Sequence, residues 1–314
     1  MVPINSATIA EIFLSLQGEG TPLILLKPQI FLRFGGCNLA ESEFGTKGCI
    51  WCDTPLGKAK PDYCRVERIP ASGKFIQLSN PVPLETVLKE IQDLSQASIT
   101  PNAFFSNQQP SEVAKTLLTD LQFHIPSYSL KRLEQIITSR LEVLEPVGVS
   151  FTGGEPLHQF SYAREAAQRL SSSNCELHLE TNASIPDYAE ECAELFDTCS
   201  ADIKERTAGA AKDWRVLAKT ELEFIERFLD AGNPNIFAKL VITNKTALED
   251  VNWIAERIAA IGTDLMIQPV TPIGRSAEVP SFKSLEELEA KILEILGNHL
   301  WISVQMHKLS FPLL

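Results

Sequence analysis

Three cysteines lie close together in one loop near the start of the chain. Cys37, Cys49 and Cys52 stand in the stretch GGCNLAESEFGTKGCIWCDT. A structural zinc ion takes four protein ligands in a tetrahedral array, so three thiolates leave such a site one ligand short. Three cysteines can instead hold a four-iron four-sulfur cluster and leave one iron open for a ligand that takes part in chemistry. The loop therefore predicts a metal site whose kind depends on the rest of the chain.

Polar residues follow the apolar runs of the second half of the chain at the points where these runs end. The groups are Thr152–Glu155, Glu180–Asn182, Asp202–Lys204, Thr243–Asn244, Gln268 and His307–Lys308. Ligands of parallel sheets bind at the carboxyl ends of the strands. Because the groups recur in register, they predict one site along a single rim of the sheet.

Short apolar runs alternate with amphipathic stretches from Val147 onward. The runs predict strands at Val147–Phe151, Glu176–Leu179, Thr198–Ile203, Ile236–Ile242, Leu265–Val270 and Trp301–Met306. The stretches between them predict helices near Tyr162–Leu170, Pro186–Phe196, Trp214–Ala231, Ala247–Ile261 and Leu285–Leu296. This alternation, with nearly continuous apolar strands, indicates an α/β fold with a parallel sheet covered by helices.

The first half of the chain has a different pattern. Thr8–Leu16 and Gln29–Arg33 predict short strands on either side of a QGEG turn, and Lys58–Ser79 predicts a loop. Apolar residues at helical spacing predict three helices, at Leu84–Leu94, Ser111–Leu121 and Leu130–Leu144.

Composition excludes several classes of function. The 314 residues are 44% hydrophobic and 22% charged, with a net charge of −12. A surface that binds phosphates needs the opposite sign, so we expect no nucleic acid partner. No apolar run reaches the roughly 18 residues of a membrane span, and no basic segment precedes an apolar stretch at the start. With an odd number of cysteines, seven, the chain is expected to be cytoplasmic with reduced thiols.

Taken in order, these motifs resemble the radical S-adenosylmethionine superfamily. A cysteine loop follows an early strand, TGGEP follows a later one, and ETN and DIK end the next two. Within the superfamily, the chain is similar to the 7-carboxy-7-deazaguanine synthase family in QGEG, FLRFGGCNL, CIWCDT and VQMHK. The C-x11-C-x2-C spacing, longer than the common C-x3-C-x2-C, favours that family. The resemblance implies one domain over residues 1–314, a partial (β/α)6 barrel, with residues 58–145 as a helical insertion.

The resemblance also implies the cofactors. Cys37, Cys49 and Cys52 would hold a four-iron four-sulfur cluster, whose open iron binds S-adenosylmethionine and whose reduction releases a 5′-deoxyadenosyl radical. Residues expected to contact S-adenosylmethionine are Gly153, Gly154, Glu155, Glu180, Asn182, Lys204 and Gln268. Glycines without a Cβ would let the backbone lie along the methionine moiety, and Glu155 would accept a hydrogen bond from its ammonium group.

The implied substrate is 6-carboxy-5,6,7,8-tetrahydropterin, whose ring the family contracts to 7-carboxy-7-deazaguanine with release of ammonia, on the route to queuosine and other 7-deazapurines. The expected substrate-binding residues are Gln17, Glu19, Arg33, His307 and Lys308. Arg33 would pair with the substrate carboxylate, and Thr54 would contact a magnesium ion. The expected partners are an electron donor such as flavodoxin or ferredoxin and a second copy in a homodimer.

Two other functions remain open from the residues. Cys64 completes a symmetric C-x11-C-x2-C-x11-C pattern, which fits a non-catalytic four-cysteine zinc protein. An activating enzyme that installs a glycyl radical on a partner protein would carry a similar GCNL loop, but it would lack the combination of QGEG and Arg33. Cys175, Cys192 and Cys199 are expected to pack in the core rather than to bind metal. The insertion would cap the site, form a dimer contact or bind the electron donor.

Overall fold

The computed structural model describes residues 5–41, 43–70, 72–96, 109–142, 147–173, 175–271 and 278–306, without the side chain at position 56. Within these ranges the strands are β1 (Ser6–Ala7), β2 (Ile9–Leu16), β3 (Pro28–Phe34), β4 (Tyr63–Val66), β5 (Ile76–Ser79), β6 (Val82–Pro83), β7 (Gly148–Gly153), β8 (Leu177–Thr181), β9 (Thr198–Ile203), β10 (Ile236–Ile242), β11 (Asp264–Pro269) and β12 (Leu300–Ile302).

Ten of the described strands form one open sheet in the order β12-β11-β10-β9-β8-β7-β3-β2-β4-β5. All strands from β12 to β3 in this order run parallel to their neighbours. On the other side, β2 is antiparallel to β3, β4 is parallel to β2, and β5 is antiparallel to β4. The predicted α/β fold with a large parallel sheet is therefore confirmed, and its open order fits a partial barrel.

The described helices are α1 (Pro55–Lys58), α2 (Leu84–Ser95), α3 (Pro110–Leu121), α4 (Ser127–Glu142), α5 (Phe160–Ser171), α6 (Ala189–Leu195), α7 (Trp214–Asp230), α8 (Leu248–Ile261) and α9 (Phe282–Leu296). Helices α5 to α9 connect the successive strands from β7 to β12, as parallel neighbours require. Each buries its apolar face; in α7, for example, Leu217, Phe224 and Phe228 are fully buried. None of the described helices is long and apolar enough to cross a membrane.

Two sequence predictions are wrong in detail. The loop expected over Lys58–Ser79 contains β4 and β5, which extend the sheet beyond β2. The strand expected over Trp301–Met306 is shorter, because β12 ends at Ile302. Beyond that residue the chain turns towards the QGEG segment, where the Met306 amide donates to the Gly18 carbonyl oxygen at 2.8 Å.

Helix α4, from the expected insertion, covers the open edge of the sheet at β12. The Arg132 guanidinium lies 3.6 Å from the Trp301 ring centroid and donates to the carbonyl oxygens of Leu300 and Asn298. Further along α4, Arg140 donates to the Pro22 carbonyl oxygen at 3.0 Å. Covering an edge strand protects its unpaired backbone groups from other chains. Helix α4 thus packs against the edge of the sheet. That residues 58–145 are an insertion and residues 1–314 one domain stays a prediction.

Candidate active site

A cavity of about 470 Å³ lies at the carboxyl ends of the parallel strands. The predicted site residues that line it are Gln17, Glu19, Arg33, Cys37, Cys49, Cys52, Thr54, Gly153, Gly154, Glu180, Asn182, Lys204 and Gln268. His307 and Lys308 lie outside the described residues. The strand ends therefore meet at one rim, as predicted. What each side chain binds there stays a prediction.

The end of β7 packs tightly against the backbone that carries the first cysteine. The Gly154 amide donates to the Phe34 carbonyl oxygen, and the Glu155 amide donates to the Gly36 carbonyl oxygen, both at 2.9 Å. A Cβ on Gly153 would lie 2.3 Å from the Phe34 oxygen, and one on Gly154 would lie 2.0 Å from the Gly36 oxygen. The close approach of the cysteine loop thus requires both glycines. This reason differs from the expected one, that glycines leave space for the methionine moiety of the cofactor.

Glu155, in contrast, does not belong to the described lining of the cavity. Its fully buried carboxylate accepts hydrogen bonds from the amides of Leu157 and Asn182 and from the Thr181 hydroxyl, at 2.7–3.0 Å. Burial raises the pKa of Glu155 to about 7, although these donors oppose the shift. In this structure Glu155 braces the loops after β7 and β8 against each other, and its contact with a cofactor ammonium group stays a prediction.

All three cysteines of the loop line the cavity, and two of them lie in an apolar part of its wall. Cys37 and Cys49 pack against a buried cluster that includes Leu39 and Trp51. Burial raises the pKa of Cys37, and it raises that of Cys49 to about 12. Asn182 Nδ2 lies 3.8 Å from Cys37 Sγ. Protonated thiols in such a wall must lose their protons to bind a metal, so metal binding here is coupled to proton release.

The remaining cysteines do not add to this wall. Cys64 is fully buried on β4 within the main hydrophobic core, outside the described cavity lining. Cys192 and Cys199 are likewise fully buried there, and Cys175 packs against the same core, as expected. Among the described residues, no three His, Cys, Asp or Glu side chains are grouped so that they could hold a metal ion. This arrangement provides no four-cysteine zinc site in the described part of the chain.

Acidic and basic side chains alternate across the floor of the cavity. Lys204 Nζ lies 2.7 Å from Asp202 Oδ2, Lys239 Nζ lies 3.0 Å from Asp202 Oδ1, and Lys239 Nζ lies 3.8 Å from Glu19 Oε1. Burial alone would lower the pKa of both lysines, but the carboxylates outweigh it and leave both pKa values raised. Burial would raise the pKa of Asp202, but the two lysines leave it lowered. All three groups are therefore charged at neutral pH.

Sequence reasoning missed Lys239, which stands in the middle of β10 rather than at its end. It is nevertheless the single charged residue in IFAKLVI, a strand in which every residue is buried. A buried ammonium group is costly unless it is paired, so a lysine in such a run is itself a signal of a polar site.

Glu180 connects the expected substrate side with the expected cofactor side. Gln17 Nε2 donates to Glu180 Oε1 at 2.6 Å, and the Thr152 hydroxyl donates to Glu180 Oε2 at 2.8 Å. Gln268 Oε1, also at the cavity, is buried without a hydrogen-bond partner among the described residues. A buried acceptor of this kind needs a donor from water or from a bound molecule.

Arg33 and Thr54 lie beside each other at the outer part of the cavity. Arg33 Nη1 donates to Thr54 Oγ1 at 3.2 Å, and Arg33 Nε lies 3.4 Å from Glu11 Oε2. Thr54 Oγ1 is also 3.2 Å from an Asp53 carboxylate oxygen. The guanidinium therefore faces the cavity from a held position, which suits a planar anion.

Three cysteines and a GGEP segment at the carboxyl rim of an open parallel sheet define an enzyme of the radical S-adenosylmethionine class. No family model matches the chain. It is 31% identical to the 7-carboxy-7-deazaguanine synthase of Methanocaldococcus jannaschii over 304 residues, which cover 96% of this chain and 98% of the relative. The enzyme of the same name from Thermococcus kodakarensis is 28% identical over 306 residues, covering 96% of both chains. The chain belongs to the 7-carboxy-7-deazaguanine synthase family.

Solved structures show a weaker likeness. Streptococcus suis SuiB bound to S-adenosylmethionine matches with a TM-score of 0.39 and 13% identity over 61% of this chain and 43% of that one. A radical SAM methyltransferase from Sphaerobacter thermophilus matches with a TM-score of 0.40 and 16% identity over 55% of both chains. Likenesses of this size add nothing to the assignment, which depends on the relatives.

Proposed function

We propose that the chain converts 6-carboxy-5,6,7,8-tetrahydropterin to 7-carboxy-7-deazaguanine and ammonia, with a four-iron four-sulfur cluster and S-adenosylmethionine as cofactors. The observation that carries this proposal is the meeting of two groups of residues in one cavity. Gln17, Glu19 and Arg33 line the same cavity as the three cysteines of the loop.

The cysteine wall fits the cluster. Cys37, Cys49 and Cys52 would each supply one thiolate, and the apolar neighbours Leu39 and Trp51 would shield it from water. When bound, the cluster and S-adenosylmethionine supply the one-electron chemistry of the reaction.

The residues around the cysteines would hold S-adenosylmethionine. Asn182 and Lys204 lie beside Cys37 and Cys49, which supports the proposal that they bind its amino acid portion. Gly153 and Gly154 would supply backbone contacts. Gln268 Oε1 offers an unpaired acceptor to the adenosyl portion. Glu155 supports these contacts by fixing the loops that carry Gly154 and Asn182.

The other side of the cavity would hold the pterin. Glu19 presents a carboxylate, which suits the hydrogen-bond donors at the edge of a pterin ring. Gln17 is oriented by Glu180 and can accept through its own carbonyl oxygen. Arg33 would pair with the substrate carboxylate, and the proposal retains His307 and Lys308 as further contacts.

A magnesium ion would lie beside Thr54 and Asp53. Thr54 and Asp53 supply the hard oxygen atoms that this ion prefers. The Arg33 guanidinium lies 3.2 Å from the same Thr54 oxygen, so a cation there needs further negative charge. We therefore propose that magnesium binds only together with the carboxylate substrate. A homodimer and an electron donor such as flavodoxin or ferredoxin complete the proposal on the strength of the resemblance alone.

The test is an anaerobic turnover assay on iron-reconstituted protein with S-adenosylmethionine, magnesium, dithionite and the carboxypterin, read by mass spectrometry. We expect 7-carboxy-7-deazaguanine together with 5′-deoxyadenosine. Arg33→Ala should raise the KM for the carboxypterin, whereas Arg164→Ala, a half-exposed arginine paired with Glu191 on the surface, should not. 5′-Deoxyadenosine without the deazaguanine would refute the substrate, and neither compound from protein with an intact cluster would refute the function.

A further inference from the structure

Lys239 is a buried charge that the proposed roles above leave unused. Its side chain is 9% exposed, it lines the cavity, and it lies opposite Asp202 in the register of β10 and β9. Residues opposite each other in neighbouring strands point to the same face of the sheet, so both side chains reach the cavity floor.

Neutralising Asp202 does not explain this lysine. Lys204 already pairs with the same carboxylate at 2.7 Å, closer than the 3.0 Å from Lys239. A second buried ammonium group adds a desolvation cost that is offset only if it interacts with further negative charge. Two further acidic side chains act on Lys239. Glu180 accepts hydrogen bonds from Gln17 and Thr152, and Glu19 Oε1 lies 3.8 Å from Lys239 Nζ.

Glu19 stands in a segment that needs outside support to hold one conformation. It lies between Gly18 and Gly20, and Gly20 has a φ of +128°, a region that other residues rarely adopt. The segment is tied to the barrel by the Gly18 carbonyl oxygen, which accepts from the Met306 amide, and by the Ile24 side chain, which packs with Phe237. Along β10, Lys239 follows Phe237 by two residues and so lies on the same face.

We propose that Lys239 is a positioning residue that holds the Glu19 carboxylate at the cavity wall for the donor edge of the pterin ring. This inference depends on the proposed function, since it assigns Glu19 to the pterin. Lys239 then belongs to a row of charges, Glu19–Lys239–Asp202–Lys204, that spans the cavity from the pterin side to the cysteine side. Loss of Lys239 should affect the pterin end of this row and spare the other end, because Asp202 keeps Lys204.

The experiment compares Lys239→Met, Lys239→Arg and Lys283→Met with the wild type in the iron-reconstituted protein. Lys283 is an 84% exposed lysine that supplies the matched control. Equilibrium dialysis measures the Kd of 6-carboxypterin, a stable analogue, and separately that of S-adenosylmethionine; turnover and thermal melting are measured in parallel. We expect Lys239→Met to raise the Kd of the carboxypterin about tenfold or more and to change that of S-adenosylmethionine by less than about threefold. Lys239→Arg should recover part of the loss, and Lys283→Met should match the wild type.

The other outcomes separate the role of Lys239 from the proposed function. If Lys239→Met binds the carboxypterin as the wild type does, Lys239 does not position Glu19. If it loses both ligands equally and melts earlier, its role is structural. If the wild type makes product and binds the analogue, the proposed function holds whatever the variants show. If the wild type does neither with an intact cluster, the proposed function fails, and the assignment of Lys239 fails with it.

Discussion

Replacing Gly153 by alanine tests whether the GGEP glycines serve the cysteine loop. Gly153 has a φ of +121°, which costs an alanine about 1–3 kcal/mol. The new Cβ would also lie 2.3 Å from the Phe34 oxygen and 2.4 Å from the Phe34 nitrogen. Ordinary contact begins at 3.4 Å, so the backbone must move by about 1 Å, an overpacking cost of about 1–3 kcal/mol.

Gly232 provides the matched control. It has a φ of +95° with no atom within 4 Å of an added Cβ, so an alanine there meets strain without a clash. We therefore expect Gly153→Ala to lower the free energy of unfolding by about 2–6 kcal/mol and Gly232→Ala by about 1–3 kcal/mol. The assay is urea denaturation followed by circular dichroism on metal-free protein.

Iron content supplies a second measure of the same change. Phe34 precedes Cys37 by three residues, so a displaced Phe34 backbone should move the first cysteine and reduce iron after anaerobic reconstitution. Gly232→Ala should bind iron as the wild type does. If the two variants unfold within about 0.5 kcal/mol of each other and hold equal iron, the close approach of β7 to the cysteine loop is not what requires glycine at position 153.

Three further predictions concern other parts of the molecule. Alanine at Cys37, Cys49 or Cys52 should abolish the binding of iron and sulfide after reconstitution. Cys64→Ala should bind both, and its small cavity should lower the free energy of unfolding by only about 1 kcal/mol. Loss of iron in Cys64→Ala would contradict the structure. Arg132→Ala should lower the free energy of unfolding by about 1–3 kcal/mol, because it removes the stacking on Trp301 and two hydrogen bonds to carbonyl oxygens. An unchanged urea midpoint would refute this expectation. Burial raises the pKa of Glu155 from 4.5 to about 7. The folded state therefore binds this proton more tightly than the unfolded state does, which adds about 3 kcal/mol to the free energy of unfolding at low pH. This contribution should disappear as the pH rises from about 4.5 to about 7. Urea midpoints over this range should therefore fall more steeply for the wild type than for Glu155→Gln, and parallel slopes would count against the shift.

The parallel strands could be predicted because their sequence and burial agree. Every residue of β10 is buried, so its run of apolar residues is continuous and has clear ends. Strands β4 and β5 gave no such signal. Each has four residues, and in β4 only Cys64 and Val66 are buried. Two inward residues are too few to distinguish a strand from a loop by period alone.

The end of β12 could not be predicted from the sequence for a different reason. In the run Trp301–Met306 all residues are apolar except Ser303 and Gln305. Val304 and Met306 are buried, as a strand would require. Both side chains belong to the main hydrophobic core, but the backbone has left the sheet ladder, and the Met306 amide donates to the Gly18 carbonyl oxygen. A tertiary contact between residues almost three hundred positions apart fixes this boundary, and no local pattern contains it.

Glu155 and Lys239 show why the site could be located from sequence more easily than its chemistry could be assigned. Motifs at strand ends identify which segments meet, because the fold brings all carboxyl ends to one rim. They do not state which way a side chain points once the segments meet. Glu155 belongs to the most specific motif of the chain, yet its carboxylate points inward to three donors of neighbouring loops. Lys239 belongs to no motif, yet strand register places its ammonium group on the cavity floor beside Asp202. The orientation of each follows from what lies across from it, so a charge within a buried strand locates a site as well as a motif does.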